Sequence, residues 1–263
     1  MLRKFLEEKI KKYYRRKWIK LLYGVLFFKG IERNKFAEQS GVLEVLGYFK
    51  LFKPLISTEF VKARFNTNSN RYQQVVFDGD YHKGELASLV SEVSNLIQER
   101  SVKNLLELGC GSGLAAERLV HLDVRLVGVD VSENMINIAR EKNLYDELYC
   151  SEIENFLVEK QHQKIELAFA CSVIQFFDDV KLNNIFDLMR RTLTVDGVFV
   201  FTFDVCPIGT RINQKLFMEH SLQFLKTTAE KYFNQVEVKE IPFGRIEQAR
   251  EVKCGLAVLS NSR

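Results

Sequence analysis

The glycine-rich run ELGCGSG, residues Glu107–Gly113, constrains the fold of this chain more than any other feature. It ends an apolar, strand-like segment, Asn104 to Leu108, and precedes a helical pattern from Leu114 to Val120. Glycines at such a junction let backbone N–H groups and the positive end of a helix face a small polar or anionic ligand, and their missing Cβ atoms allow a close approach. The run therefore predicts a strand, a glycine loop and a helix start that hold a nucleotide-like cofactor.

An acidic residue follows the next apolar run. Val124 to Val129 ends at Asp130, twenty-one residues after Gly109, and a carboxylate at a strand tip can accept hydrogen bonds from the hydroxyls of a ribose. A dinucleotide-binding fingerprint would place its third glycine at the position of Leu114. The observed spacing, G-x-G-x-G, therefore disfavours a nicotinamide-dependent oxidoreductase.

From Leu86 onward, strand-like and helix-like segments alternate, which is typical of a mostly parallel sheet covered by helices. In such a sheet, ligands bind outside the carboxyl ends of the strands, near the point where the strand order reverses. The last residues of each strand are therefore candidate site residues. The strand-like segments are Asn104–Leu108, Arg125–Val129, Glu147–Cys150, Ile165–Ala170, Val198–Phe203, Val236–Ile241 and Gly255–Leu259.

The chain resembles the class I, seven-stranded S-adenosylmethionine-dependent methyltransferases through three stretches. These are LLELGCGSG (Leu105–Gly113), LVGVDVSENMINIAREK (Leu126–Lys142) and LTVDGVFVF (Leu193–Phe201). The resemblance covers roughly Ala63 to Ser260. It implies an α/β fold with a doubly wound, seven-stranded, mostly parallel Rossmann-like sheet, S-adenosylmethionine as the cofactor, and methyl transfer as the activity.

Two finer resemblances are found, of which the first is the closer one and the second gives the runner-up substrate class. The stretches Leu144–Leu157 and Arg211–Leu225 are similar to predicted methyltransferases associated with tetratricopeptide repeats. The stretch VKARFNTNSNRYQQ, Val61–Gln74, is similar to the carrier-protein methyltransferases of biotin synthesis. The acceptor is therefore expected to be a small molecule or a carrier-bound acid.

The resemblance also implies roles for individual residues. Glu152 would accept a hydrogen bond from the adenine amino group, with Ile153 beside the ring, and Tyr72 and Tyr81 resemble aromatic residues that close over the cofactor. The predicted cofactor-binding residues are Tyr72, Tyr81, Glu107, Gly109, Cys110, Gly111, Gly113, Asp130, Val131, Met135, Glu152, Ile153 and Ser172.

The fourth strand tip departs from the family pattern, because Ser172 stands where many relatives have an acidic residue. This departure puts in doubt any catalytic carboxylate at that tip, although backbone groups of Ala170 to Ser172 could hold the methionine amino group. It also keeps open a non-catalytic interaction module that retains the fold.

No catalytic residue is assigned from the sequence. Methyl transfer needs no metal, and a base helps only when the acceptor is an amine or a hydroxyl. His82, His220 and Asp204 are the candidate bases, and each has a structural interpretation as a packing or capping residue. Two adjacent acidic residues, Asp178 and Asp179, are interpreted as a helix N-cap rather than a metal pair.

The first seventy residues are predicted to form a basic, amphipathic helical extension, with the methyltransferase domain at residues 71–263. Apolar residues recur at helical spacing from Leu2 to Val25 among lysines and arginines, so the helix either packs on its own domain or a second subunit, or lies on an anionic membrane surface. Lipid or quinone acceptors at the membrane stay open for that reason. A second helix through Val42–Phe52 and a polar connector, Asn66–Asn70, would lead to the core.

Charge and cysteine content limit the partners and the compartment. The segment from Met1 to Lys35 holds twelve Lys and Arg against three Glu, so its net charge is +9. The rest of the chain carries a net charge of −5, which gives +4 for the whole. Nucleic acid is disfavoured because the basic surface is confined to one terminal element. Five cysteines without a C-x-x-C pair suggest neither a disulfide framework nor a zinc site, and we expect a cytoplasmic protein.

Overall fold

A computed structural model describes residues 58–77, 83–161, 163–212, 217–247 and 250–262. The predicted amphipathic helix of the extension, the helix through Val42–Phe52, Tyr81 and His82 lie outside these residues. None of the described helices is long and apolar enough to cross a membrane.

Helices and strands alternate from the glycine loop onward, as predicted. The helices are α1 (Thr58–Phe77), α2 (Lys83–Arg100), α3 (Ala116–Leu119), α4 (Glu133–Glu141), α5 (Ile153–Lys160), α6 (Asp179–Thr192) and α7 (Leu222–Ala229), with a 3₁₀ turn at Ile174–Phe176. The strands are β1 (Asn104–Leu108), β2 (Arg125–Asp130), β3 (Glu147–Cys150), β4 (Ile165–Ala170), β5 (Leu193–Val205), β6 (Thr210–Ile212), β7 (Met218–His220), β8 (Gln235–Glu247) and β9 (Arg250–Ser260).

The strands form one sheet whose order reverses between β1 and β4. Strands β3, β2, β1, β4 and β5 lie side by side and are parallel, β9 runs antiparallel to β5, and β8 runs antiparallel to β9. The seven predicted strands are therefore present in a doubly wound sheet. The short strands β6 and β7, which extend from the carboxyl end of β5, were not predicted, because three residues are too few to show an alternating pattern.

The two faces of the sheet carry separate hydrophobic layers because neighbouring strand residues point to opposite sides. One layer includes Leu106, Val127 and Ala168, which share a register, and is covered by α5, α6 and α7. The opposite layer includes Leu105 and its neighbours on β2 and β4 and is covered by α2. Leu105 is fully buried, and burial of such a side chain contributes about 1.5–3 kcal/mol.

Helix α1 corrects the prediction of a polar connector at Asn66–Asn70, since these residues lie inside it. Two of their polar side chains find partners within or beside the helix: Ser132 Oγ donates to Asn66 Oδ1 at 2.6 Å, and Thr67 Oγ1 donates to Ala63 O at 2.8 Å. Composition indicated a loop, but these hydrogen bonds override the weak propensity of Asn, Ser and Thr for helices. The helix also runs across the predicted domain boundary at residues 70 and 71.

Candidate active site

A cleft opens at the carboxyl ends of the parallel strands, where the strand order reverses. Its empty space, counted out to the open mouth, is about 730 Å³. A smaller adjoining cavity shares its wall. Eight of the predicted cofactor residues line the main cleft, and these are Gly109, Gly111, Asp130, Val131, Met135, Glu152, Ile153 and Ser172. Glu107 and Cys110 line the adjoining cavity.

The glycine loop takes a backbone course that only glycine adopts easily. Gly109, Gly111 and Gly113 have φ of +67°, +52° and +83°. A Cβ on Gly109 would overlap the side chain of Val173, whereas a Cβ on Gly111 would meet no atom within 4 Å and would project into open space. Gly111 therefore leaves room beside the cleft, and Gly109 allows β1 and the β4 loop to pack closely.

The carboxylate of Asp130 lies directly against the glycine loop. Its Oδ2 accepts from Gly111 N at 2.9 Å and its Oδ1 from Ser132 N at 2.8 Å. Burial raises the pKa of Asp130 above its ordinary value, and the backbone N–H groups of Ser132, Gly111 and Val131 oppose that rise. Asp130 lines the cleft, and a carboxylate has about four acceptor positions, so Asp130 can still accept from hydroxyl groups there.

The residues after Asp130 start helix α4 and shape the cleft wall. Ser132 is the N-cap, as predicted, and its Oγ accepts from Met135 N at 3.3 Å. The cap holds Met135, which is fully buried, at the inner wall beside Val131. The N-cap and this part of the cleft wall thus belong to the same turn, at the start of α4.

Glu152 lies at the far end of the cleft, beyond β3, at the N-cap position of α5. Its Oε2 accepts from Thr58 Oγ1 at 3.2 Å, and Lys181 Nζ donates to the same hydroxyl at 3.2 Å. Lys181 also forms an ion pair with Glu154 at 3.1 Å. Helices α1 and α6 therefore meet over Glu152, and sequence reasoning missed both Thr58 and Lys181.

Glu107 is buried at the opposite end of the site, with 3% of its surface exposed. Burial raises the pKa of Glu107 to about 8; the hydrogen bond from Tyr145 lowers it, and the nearby Asp130 carboxylate raises it. Tyr145 Oη donates to Glu107 Oε2 at 2.7 Å. Without a ligand, Glu107 therefore carries a proton at neutral pH.

Ser172 follows β4 in a left-handed conformation, with φ of +55°. Its N–H donates to Thr202 Oγ1 at 3.0 Å, and its Oγ donates to Glu85 Oε1 at 2.8 Å. Glu85 belongs to the first turn of α2 and is only 2% exposed. The strand tip that lacks an acidic residue in the sequence thus receives a carboxylate from a distant helix, which sequence reasoning missed.

Aromatic side chains form the remaining wall. Phe65 from α1 packs edge-on against Phe176, with ring centroids 5.6 Å apart, and Phe176 packs edge-on against Phe217 at 5.4 Å. The guanidinium of Arg64 lies over the Phe217 ring, 4.5 Å from its centroid. Phe65, Phe176 and Phe177 line the cleft. The sequence did not predict this wall, because Phe65 is far from the other two residues in the chain.

Three other candidates lie outside the lining of the cleft. Gly113 donates its N–H to Cys110 O at 2.9 Å and closes the loop rather than lining the cleft. Asp204, near the end of β5, and His220, on β7, are fully buried outside the lining, and the His220 ring stacks on Phe224 with the ring centroids 5.7 Å apart. The expectation that His220 could reach the pocket is therefore wrong. Tyr72 lies on α1, and its predicted role stays a prediction, as does that of Tyr81.

Residues 105–197 match a protein family described as a methyltransferase domain. The chain is 26% identical over 183 residues to the malonyl-[acyl-carrier protein] O-methyltransferase of Bacillus anthracis, covering 67% of this chain and 61% of that protein. It is 25% identical over 166 residues to the enzyme of the same name from Bacillus cytotoxicus, covering 62% and 54%. The chain thus spans less than two thirds of the length of these curated relatives.

The fold is also that of solved methyltransferase structures. Magnesium protoporphyrin IX methyltransferase from Synechocystis, in a crystal structure with bound SAH (S-adenosylhomocysteine), superposes with a TM-score of 0.60 at 14% identity. The superposition covers 77% of this chain and 99% of that one. The predicted Rossmann-like methyltransferase fold is therefore confirmed.

Proposed function

We propose that this protein is an S-adenosylmethionine-dependent methyltransferase that acts on a small-molecule or carrier-bound acceptor. The observation that carries the proposal is the meeting of the glycine loop, Asp130 and Glu152 in one cleft at the switch point of the sheet. When bound, S-adenosylmethionine supplies a methyl group that its sulfonium already activates, so the chain must chiefly align the acceptor and exclude water.

The residues present fit such a cofactor. Asp130 has acceptor positions left for the two ribose hydroxyls, and the open space at Gly111 leaves room for the ribose to approach. Glu152, across the cleft from the loop, can accept from the adenine amino group, and Ile153 offers an apolar contact beside the ring. The adjoining cavity at Glu107 then receives the amino-acid end.

The part of the cleft that remains for the methyl acceptor is apolar and is closed by α1. Phe65, Phe176 and Phe177 exclude water from the part of the cleft that the polar residues leave open. None of the described lining residues is a histidine, and a carboxylate acceptor needs no general base. We therefore place a carrier-bound or free carboxylic acid first among acceptors, which the malonyl-[acyl-carrier protein] relatives support.

Three further elements belong to the proposal. The kinship with methyltransferases associated with tetratricopeptide repeats rests on the stretches Leu144–Leu157 and Arg211–Leu225. Membrane contact or oligomerisation would depend on the basic segment before residue 58, and a cytoplasmic location accords with five cysteines, all in the described part of the chain, that form no disulfide. Co-sedimentation with anionic liposomes at low and high salt tests the membrane contact, which salt should release.

Calorimetric titration of the purified protein with S-adenosylmethionine, S-adenosylhomocysteine and NAD tests the main proposal. We expect the first two to bind and NAD not to bind. Asp130→Ala should weaken the binding strongly, whereas Asp130→Asn, which keeps an acceptor oxygen, should weaken it less. A folded wild-type protein that binds neither sulfur ligand would overturn the proposal and favour the interaction module.

A further inference from the structure

The carboxylate of Glu152 is held by a side chain from another helix rather than by its own helix end. Glu152 occupies the N-cap position of α5, where side chains commonly accept from the first backbone N–H groups, but it makes no such capping bond. Its Oε2 instead accepts from Thr58 Oγ1, on the first residue of α1, at 3.2 Å. Both residues line the cleft, so this hydrogen bond fixes the carboxylate at the cleft wall.

The proton of the Thr58 hydroxyl is directed by Lys181. Lys181 Nζ lies 3.2 Å from Thr58 Oγ1, and an ammonium group can only donate, so the threonine oxygen accepts there. A hydroxyl has a single proton, and this proton is then donated to Glu152. Lys181 and Thr58 thus form a chain of two hydrogen bonds that ends on one defined oxygen of Glu152.

Lys181 is itself fixed by three neighbouring side chains. Its Nζ forms an ion pair with Glu154 Oε2 at 3.1 Å and lies 5.3 Å from the centroid of the Phe177 ring. Glu154 Oε1 accepts from Asn184 Nδ2 at 2.7 Å, so both oxygens of this carboxylate hold groups of α6. The N-cap Asp178 fixes the backbone, because its Oδ1 accepts from Lys181 N at 2.9 Å. The ammonium group therefore has a defined position before a ligand arrives.

A carboxylate that is fixed in advance binds a donor more tightly than a mobile one. A free glutamate side chain loses rotamer freedom when it binds a ligand, and fixing it beforehand removes that loss from the cost of binding. With Oε2 engaged by Thr58, Glu152 retains acceptor positions, including those of Oε1, for a donor in the cleft. The network should therefore strengthen only those ligands that carry an N–H donor at this end.

We propose that Thr58 and Lys181 are positioning residues that act through Glu152 and determine how strongly the cleft selects a purine with an exocyclic amino group. This inference rests on the proposed function, in which Glu152 accepts from the adenine amino group. Neither residue needs to contact that group, and their contribution disappears for a ligand without it.

Titration of the full-length protein with two matched ligands tests the inference. The ligands are S-adenosylhomocysteine and its 6-deamino analogue, in which a hydrogen atom replaces only the amino group of the base. The wild-type protein should bind the analogue about 10- to 100-fold more weakly, since hydrogen bonds to charged groups are strong. Thr58→Val removes the hydroxyl, and Lys181→Met removes the ammonium group but keeps the aliphatic stem. Each change should weaken S-adenosylhomocysteine about 3- to 10-fold and leave the analogue within about twofold.

Two controls separate positioning from a merely structural role. Thr58→Ser keeps the hydroxyl and should retain the wild-type ratio of the two affinities. Arg190→Met, at an exposed position of α6, should change neither affinity. If Lys181→Met does not fold, Thr58→Val decides the test alone.

Three results would overturn the inference while the proposed function stands. These are equal weakening of both ligands by Thr58→Val and Lys181→Met, no weakening of either ligand, and a wild-type protein that binds both ligands equally well. If the wild-type protein binds neither ligand, the proposed function fails first, and the inference fails with it.

Discussion

Replacement of Glu107 by glutamine should change how stability depends on pH. In the folded, ligand-free protein, burial raises the pKa of this carboxyl from its ordinary 4.5 to about 8. Between these two values the folded protein holds a proton that the unfolded chain releases. The free energy of unfolding therefore falls as pH rises through this range, and it levels off above the folded pKa.

The size of the effect follows from the shift. Below the folded pKa the slope is about 1.4 kcal/mol per pH unit, so from roughly pH 6 to pH 9 the wild-type protein should lose up to about 2–3 kcal/mol through Glu107. Glutamine has nearly the same shape, retains an oxygen that can accept from Tyr145 Oη, and does not titrate. Glu107→Gln should thus remove this part of the pH dependence.

Urea unfolding of both proteins without ligand, at several values between pH 6 and pH 9, measures the effect. The other titrating groups are common to both proteins, so subtraction of the two curves isolates Glu107. The stability of Glu107→Gln relative to wild type should rise by about 2 kcal/mol across this range. A difference that stays constant with pH would refute the argument that Glu107 is protonated in the folded protein at neutral pH.

The remaining predictions concern the loop and the helix that closes the cleft. Gly109→Ala should destabilise the fold by roughly 1–3 kcal/mol, because the new Cβ overlaps Val173 at a positive φ; thermal unfolding measures this, and an unchanged midpoint would contradict it. In Gly111→Ala the new Cβ meets only open space. The loss of S-adenosylhomocysteine affinity, taken in proportion to the loss of stability, should therefore be larger for Gly111→Ala than for Gly109→Ala. Asn66→Ala removes the side-chain acceptor of Ser132 Oγ and Asn134 N and should cost about 1 kcal/mol in the contact between α1 and the start of α4. Hydrogen exchange in α1 should become faster while that in β1 stays the same.

The local elements of the site could be predicted because their signals lie within a few residues. The glycine loop, the strand-end Asp130, the Ser132 cap and the Asp178 cap of α6 were each visible as a short pattern, and the structure places them as expected. Asp130 could also be placed beside the loop, since adjacent parallel strands bring their carboxyl ends to one edge. Glu152 reached the same cleft by this rule.

The contacts that complete the site join residues far apart in the chain. Glu85 and Ser172 are 87 positions apart, and Thr58 and Lys181 are 123 apart. No periodicity or motif encodes such pairs, because they depend on which face of the sheet a helix covers. The same reason explains the helical course of the Asn-rich stretch in α1, where tertiary hydrogen bonds outweigh local propensity.

Sequence alone therefore specified the doubly wound sheet, the glycine loop and the end of the cleft at Asp130 and Glu152, since hydrophobic periodicity and turn chemistry act over short distances. Tertiary structure decided the end of the cleft at Ser172 and the aromatic wall. There, Glu85 from α2, Phe65 from α1 and Phe176 from the turn after β4 come together only when both layers have packed on the sheet. Packing of whole helices, rather than any local pattern, places these charges and rings.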